Sequence, residues 1–173
     1  MDFFDIVTQR RSVRAYADKP VEEEKLQAIL TAANHAPSAG NLQAYEIFVV
    51  RKAAELRALP AAALGQDFIA RAQAVLVFCA HPARAAERYG ERGKRLYAVQ
   101  DATIACTFAM LAATALGLAT VWIGAFDDHK VMQALELPEA VHPVAMLPIG
   151  YDAENPLPTP RRALADLVHE VRR

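Results

Sequence analysis

The stretch from Leu96 to Leu116 restricts the fold of this chain more than any other, because it contains no proline or glycine and only one charged residue, Asp101. It predicts a helix that is apolar on nearly all sides, and such a helix is buried in a core or at a subunit interface. At about 1.5 Å per residue, the helix would be roughly 30 Å long. We therefore expect a fold built around a central apolar helix that ends at Gly117.

Four further segments predict the strands of one sheet. They are residues 45–50, 74–80, 119–126 and 141–151. Residues 74–80 (AVLVFCA) are apolar on both faces, which is typical of a strand in the centre of its sheet. Pro143 and Pro148 indicate an edge position, a bulge, or proline only at the ends of the last strand.

Helical patterns lie between and around these strands. They cover residues 2–10, 21–36, 53–59, 61–72, 83–118, 127–137 and 163–171. No repeat or long linker divides the sequence, so residues 1–173 are expected to form a single domain. The predicted class is α+β, with a sheet of four or five strands packed among many helices.

The composition argues against several classes of protein. The 173 residues carry a net charge of −1, which does not suit a general nucleic-acid-binding protein. No membrane span is expected from the sequence. The N-terminus is acidic first and basic later, the reverse of a secretory signal, and we expect a cytoplasmic protein. Cys79 and Cys106 lie in apolar segments and are expected to be small core residues.

Several common functional motifs are missing from the sequence. No G-x-G-x-x-G follows a predicted strand and no P-loop is present, so neither type of nucleotide site is supported. The five histidines show no paired spacing and there is no C-x-x-C, so no metal site is expected. Ser38 lies outside any G-x-S-x-G and does not predict a hydrolase.

Three polar motifs remain as candidates for ligand binding. In the first, Arg10, Arg11 and Arg14 surround Ser12. Guanidinium groups bind phosphate through paired hydrogen bonds, and a hydroxyl adds a further donor. The alternative is a cluster of solvated charges at the end of a helix.

The second motif is the loop from Pro37 to Gln43, whose small residues allow a flat ligand to approach the backbone. Its side-chain amides can pair with ring carbonyl and imide groups, and the alternative interpretation is an ordinary helix-to-strand loop.

The third motif, Arg161 and Arg162, follows a proline-rich segment, and the alternative interpretation is a charge pair before the last helix. Together the three motifs suit a phosphorylated planar heterocycle.

Four stretches, in order along essentially the whole chain, resemble the nitroreductase family of FMN-dependent oxidoreductases. They are RRSVRAY (10–16), APSAGNLQAYEIFVV (36–50), VWIGAF (121–126) and the pattern P-IGY…P-PRR (148–162). The resemblance implies a homodimer with a mostly antiparallel sheet surrounded by helices, and two equivalent FMN sites at the dimer interface. It also implies ping-pong transfer of reducing equivalents from NADH or NADPH to a nitroaromatic, a quinone or a similar small molecule.

The resemblance also assigns residues to the FMN site. The positions that match the phosphate contacts are Arg10, Ser12 and Arg161, with Arg11 and Arg162 beside them. Arg14 matches a basic residue near the N1–C2 carbonyl edge of the flavin, where it would stabilise the negative charge that reduction adds. The loop contributed by the second subunit corresponds to Pro37, Ser38, Ala39, Gly40 and Asn41, followed by Gln43.

Two further matches complete the implied site. The backbone N–H near flavin N5 corresponds to the turn of Ile123, Gly124 and Ala125, and Gln66 falls near a position that contacts the pyrimidine edge. The chemistry takes place on the flavin, so no catalytic side chain is expected. Relatives often carry a longer insertion near residues 81–95, and the short segment here implies an open flavin face and a broad range of acceptors.

Two alternatives remain open. The first is an enzyme of the same fold with another reaction, such as dehydrogenation, dehalogenation or flavin degradation. The second is a flavin-binding protein without significant turnover.

Overall fold

Within residues 2–171, the part of the chain that the computed structural model describes, the sheet has four strands. They are β1 (Tyr45–Val50), β2 (Ala74–Ala80), β3 (Ala119–Thr120) and β4 (His142–Gly150). Their order across the sheet is β1–β2–β4–β3, and all three pairings are antiparallel. The α+β class and the mostly antiparallel sheet are thereby confirmed.

β2 is the central strand that its apolar sequence predicts. All of its residues are buried, and it pairs with β1 on one side and with β4 on the other. The register of β2 and β4 shifts between Phe78 and Cys79, and Pro143 lies opposite Cys79 at this bulge. Pro148 lies outside the short pairing of β4 with β3. The bulge and the short neighbouring strand therefore allow an internal strand to contain two prolines.

Six α-helices flank the sheet in the described part of the chain. They are α1 (Phe3–Gln9), α2 (Glu23–Asn34), α3 (Ala53–Ala62), α4 (Pro82–Arg92), α5 (Ala98–Ala115) and α6 (Asp128–Ala134). A π-helical segment, Gly93–Tyr97, joins α4 to α5, and short 3₁₀ turns lie at Ala39–Asn41, Asp67–Arg71 and Leu164–Asp166. Asp127 caps α6 by accepting the Lys130 N–H at 3.1 Å.

The sheet separates two apolar clusters, because successive side chains of a strand point to opposite faces. Val75 of β2 packs with α3 and α6 on one face, and Leu76 packs with α2 and α5 on the other. Cys79 and Cys106 are fully buried, one in each cluster, which confirms them as core residues. Burial raises the pKa of both thiols, that of Cys79 to about 12.

α5 is the core helix that the sequence predicts. It packs against α2, β2 and β4, and its buried side chains are mostly alanine. Although the sequence predicts no membrane span, one 18-residue window of the helical stretch Pro82–Ala115 is apolar enough to cross a membrane, by length and composition alone, with a mean hydropathy of 1.4. α5 still carries two exposed apolar side chains, since Val99 is 40% and Phe108 38% accessible.

The two ends of the chain bury little apolar surface. α1 contains no buried residue, and Phe3 is 61% exposed. The helix predicted over residues 163–171 is wrong, because only the 3₁₀ turn Leu164–Asp166 forms there. The apolar side chains of this segment, such as Leu167, are exposed and do not pack against the rest of the chain. A helix of this length is not stable without such packing.

Candidate functional site

Two segments that are far apart in the sequence run side by side near the edge of the sheet. The Ala17 N–H, after α1, donates to the carbonyl of Tyr151, after β4, at 2.8 Å. The carboxylate of Glu154 accepts a hydrogen bond from the backbone N–H of Arg14. These bonds hold the proline-rich segment near the C-terminus against the chain that follows α1.

A cavity of about 470 Å³, which we call the arginine cavity, lies between these segments. Five of the candidate residues line it: Arg10, Arg11, Ser12, Arg14 and Arg161. A parallel bridge to Thr120 of β3 holds Ser12 beside the sheet. The fold therefore brings together the first and third polar motifs of the sequence.

The arginine cavity carries guanidinium groups that form no ion pair with any residue that the structure describes, although the carboxylate of Glu154 lies at the backbone N–H of Arg14. Burial, and then the nearby charges of Arg161 and Arg11, lower the pKa of the Arg10 guanidinium. Among residues 2–171, no carboxylate oxygen lies within 4.0 Å of a guanidinium nitrogen of Arg10, Arg11 or Arg161. Arginine stays protonated at any physiological pH, so these like charges favour a bound anion.

The two adjacent arginines near the C-terminus point to different partners. Arg161 lines the arginine cavity, and its Nη1 donates to the Thr159 hydroxyl at 2.9 Å. Arg162 donates to the carbonyl of Asp166 at 2.9 Å and is not part of the lining. The structure therefore favours Arg161 over Arg162 as an anion contact.

The loop Pro37–Gln43 has an unusual backbone. Gly40, Asn41 and Gln43 have φ angles of +56°, +58° and +48°, all in the left-handed region that only glycine adopts without cost. The hydroxyl oxygen of Ser38 accepts the Gln43 N–H at 3.0 Å, which closes the loop on itself. A loop with strain at two positions, Asn41 and Gln43, needs support from the surrounding structure.

That support comes from Asp101, the single charge in the apolar helix. Its carboxylate is 2% exposed and accepts the N–H groups of Ala39 at 2.9 Å and Ala44 at 3.3 Å. Asp101 thus interrupts the apolar surface of α5, and its carboxylate holds both ends of the loop. The neighbouring Gln100 is exposed.

Arg84 is a second support, which the sequence reasoning missed. Its Nη1 donates to the Gln43 carbonyl at 2.7 Å and to the Tyr45 carbonyl at 3.3 Å, and Nη2 forms an ion pair with Glu46. Arg84 therefore fixes the end of the loop to the start of β1. In the sequence it is one of several basic residues of α4, and no local pattern distinguishes it.

A second cavity, also of about 470 Å³, lies beside the loop, and we call it the loop cavity. Its walls include Pro37, Ser38, Ala39, Tyr97 and Asp101. Among the residues described, none of the loop lines the arginine cavity. Within one chain, the structure therefore keeps the second motif apart from the first and third.

The turn after β3 presents free backbone donors. The sequence predicts a strand from residue 119 that runs into a turn at Gly124, but the observed strand ends at Thr120, and only one bridge, Ile123 to Met146, follows before the turn. That bridge occupies the Ile123 N–H, whereas the N–H groups of Gly124 and Ala125 have no acceptor within the described part of the protein. Gln66 joins this turn, because its Nε2 donates to the Ala125 carbonyl at 3.0 Å.

The chain is similar to known proteins in both sequence and fold. A family model described as "Nitroreductase family" matches residues 7–65 and 60–151. The protein named NADH dehydrogenase of Thermus thermophilus is 34% identical over 187 aligned positions, covering 92% of this chain and 91% of that protein. The FMN reductase (NAD(P)H) of Bacillus subtilis is 34% identical over 168 positions, covering 90% and 68%. The solved structure of the hypothetical oxidoreductase YcnD from Bacillus subtilis superposes with a TM-score of 0.90 at 32% identity, covering 98% and 74%.

Proposed function

We propose, starting from the fact that this chain belongs to the nitroreductase family, that it is an NAD(P)H-dependent oxidoreductase with FMN as its cofactor. Residues 1–173 act as a single FMN-binding domain of a cytoplasmic homodimer. The acceptors are nitroaromatics, quinones or related small molecules, and the mechanism is ping-pong. The observation that carries the proposal is the arginine cavity, where Arg10 and Arg161 meet without a carboxylate.

The residues of the arginine cavity fit the phosphate of FMN. Arg10, Ser12 and Arg161 supply guanidinium and hydroxyl donors to one cavity, and phosphate is the anion that such donors bind best. FMN supplies a ring that accepts a hydride from NAD(P)H and passes the electrons to an acceptor. The protein binds and orients this ring, so no acid, base or nucleophile is required of it.

Two groups suit the ring itself. The free N–H groups of Gly124 and Ala125 can donate to a ring nitrogen. The charge of Arg14 at the wall of the arginine cavity favours negative charge on a bound ligand. Both effects adjust the reduction potential of the cofactor.

A homodimer explains two features that a single chain leaves incomplete. The loop Pro37–Gln43 lies away from the arginine cavity of its own chain, so a second copy must supply it. Apolar side chains at both termini are exposed, including Phe3, Phe4 and Leu167, at 61%, 76% and 52%. A second copy would supply the loop and bury these side chains, and the burial of apolar surface stabilises an interface.

Dilution is therefore expected to release the flavin. Each proposed site combines the arginine cavity of one copy with the loop of the other, so a monomer lacks half of its FMN contacts. Sedimentation velocity that follows flavin absorbance measures this directly. A monomer that sediments with bound FMN contradicts the shared site.

Arg161→Ala is expected to weaken FMN binding by about tenfold, because one charge-assisted contact with phosphate is lost. Arg162→Ala is expected to leave the affinity unchanged, since Arg162 does not line the arginine cavity. Titration of the apoprotein with FMN, followed by fluorescence, measures both. An equal loss of FMN affinity in the two variants would contradict the assignment of the phosphate contact to Arg161 alone.

The proposed reaction is tested with the purified protein. The released cofactor is identified by chromatography, and rates are measured with NADH and NADPH against a panel of nitroaromatics, quinones and free flavins. Parallel lines in double-reciprocal plots are expected for a ping-pong mechanism. A yellow protein without turnover supports the flavin-binding alternative, and a colourless protein that takes up no FMN contradicts both.

The acceptor range is expected to be broad. α4 and the π-helical segment after it form a compact connection between β2 and α5. We infer that little of the chain covers the proposed ring, so acceptors of different shapes reach it. A single tightly selected acceptor in the panel would contradict this inference.

A further inference from the structure

Four side chains of α4 and the segment after it form what we call the tyrosine–arginine cluster: Arg88, Tyr89, Arg92 and Tyr97. The rings of Tyr89 and Tyr97 meet edge to face, with centroids 5.1 Å apart. The guanidinium carbon of Arg88 lies 5.5 Å from the Tyr89 ring, and that of Arg92 lies 5.5 Å from the Tyr97 ring. Arg92 Nε also donates to the Tyr97 hydroxyl at 3.0 Å. Two guanidinium groups therefore flank a pair of aromatic rings.

The cluster lies directly over the loop Pro37–Gln43. A Cβ atom added to Gly40 would lie 2.5 Å from the Tyr89 hydroxyl and 2.9 Å from Arg88 Nη1, so the tips of these two side chains contact the loop at Gly40. Tyr97 also lines the loop cavity. The cluster thus forms part of the surface beside the loop that we assign to the cofactor.

The charge of this surface is not compensated. Residues 82–97 contain five basic and two acidic residues, whereas the whole chain has a net charge of −1. Arg84 pairs with Glu46, and Arg95 pairs with Glu91 at 3.4 Å. No carboxylate oxygen of the described residues lies within 4.0 Å of a guanidinium nitrogen of Arg88 or Arg92.

We propose that the tyrosine–arginine cluster binds the phosphate-bearing part of a substrate whose reactive ring enters beside the loop. A guanidinium group can bind a phosphate through two parallel hydrogen bonds, and a tyrosine ring can pack its face or edge against a planar base. NADH, NADPH and free FMN all combine a phosphate with planar rings, and they are the substrates that could carry this chemistry. The inference rests on the proposed function, because the loop is the element that places the cluster near the cofactor.

The test compares the FMN-loaded wild-type protein with the variant Arg88→Gln/Arg92→Gln, which removes both charges and keeps polar side chains. Stopped-flow spectroscopy follows the reduction of bound flavin by NADH and NADPH, then its reoxidation by menadione, free FMN and riboflavin. The matched control is Arg57→Gln/Arg71→Gln. It removes two other exposed arginines that, within residues 2–171, have no carboxylate within 4.0 Å. FMN content and a thermal midpoint equal to those of the wild type show that a variant is folded. If Arg88→Gln/Arg92→Gln does not fold, the single variant Arg88→Gln is used in its place.

A loss of about tenfold in the second-order rate constant is expected for phosphate-bearing substrates, since at least one charge-assisted contact disappears. A loss confined to NADH and NADPH identifies the coenzyme as the phosphate source. A loss with free FMN but not with riboflavin identifies the flavin phosphate. Unchanged rates, equal losses with menadione and riboflavin, or the same losses in the control overturn the inference.

Calorimetric titration with ADP separates this inference from the proposed function, because ADP carries phosphate and cannot reduce flavin. If the wild-type flavin is reduced by neither coenzyme, the proposed function fails and the ADP titration decides the inference. Binding of ADP that falls about tenfold in Arg88→Gln/Arg92→Gln supports it. The inference is overturned if the variant binds ADP as tightly as the wild type. It is also overturned if the wild type binds no ADP and the variant has unchanged rates of flavin reduction and reoxidation.

Discussion

Replacement of Arg10 by alanine is expected to raise the Kd for FMN by roughly tenfold to a hundredfold. Arg10 is half-buried at the wall of the arginine cavity, where burial and the charge of Arg161 already lower its pKa. A phosphate in this position would accept charge-assisted hydrogen bonds, each worth about 1.5–3 kcal/mol, and partial burial strengthens them. Titration of the apoprotein with FMN, followed by quenching of flavin fluorescence, measures the change.

Riboflavin gives this experiment its control, because it has the same ring and no phosphate. Arg10→Ala is expected to leave riboflavin affinity unchanged, and Arg57→Ala, a distant exposed arginine, is expected to change neither affinity. An unaltered Kd for FMN, or an equal loss for riboflavin, would remove Arg10 from the phosphate contacts.

Asp101→Ala is expected to lower the free energy of unfolding by about 3 kcal/mol. The variant loses both of the hydrogen bonds that Asp101 makes to the loop. The N–H groups of Ala39 and Ala44 then lack an acceptor, at a cost of about 1–3 kcal/mol each. For a chain of this size, such a loss lowers the unfolding temperature by roughly 6–12 °C. Thermal unfolding of the FMN-free protein, at one protein concentration, measures the shift.

Two further variants separate the hydrogen bonds of Asp101 from other effects. Asp101→Asn keeps one acceptor oxygen and is expected to lose about half as much stability. Gln100→Ala changes the adjacent exposed residue and is expected to shift the unfolding temperature little. If Asp101→Ala proves as stable as Gln100→Ala, the loop does not depend on this carboxylate.

The central parts of the fold could be predicted because local pattern and tertiary environment agree there. β2 is apolar on both faces and lies in the middle of the sheet, and α5 is apolar nearly all round and lies in the core. The end of the chain could not be predicted in the same way. Leu164 and Leu167 have helical spacing, but nothing in the chain covers them, and packing decides whether so short a segment is helical.

The site shows the same division. The residues around Arg10 and Arg161 could be grouped by chemistry, although only the fold shows that they share a cavity. The role of Asp101 could not be read from the sequence, where it was only a charge in an apolar helix. Its partners are backbone N–H groups about 60 positions earlier in the chain, and contacts with backbone leave no trace in side-chain patterns.

The deep burial of both thiols makes this protein convenient for site-specific labelling. Cys79 and Cys106 are the only cysteines of the sequence, both are shielded from solvent, and their raised pKa values leave almost no reactive thiolate. A cysteine introduced at an exposed position such as Arg57 would therefore react with a maleimide dye alone, in an otherwise native background. Donor- and acceptor-labelled batches, once mixed, would report by energy transfer whether the proposed homodimer forms and how quickly its copies exchange.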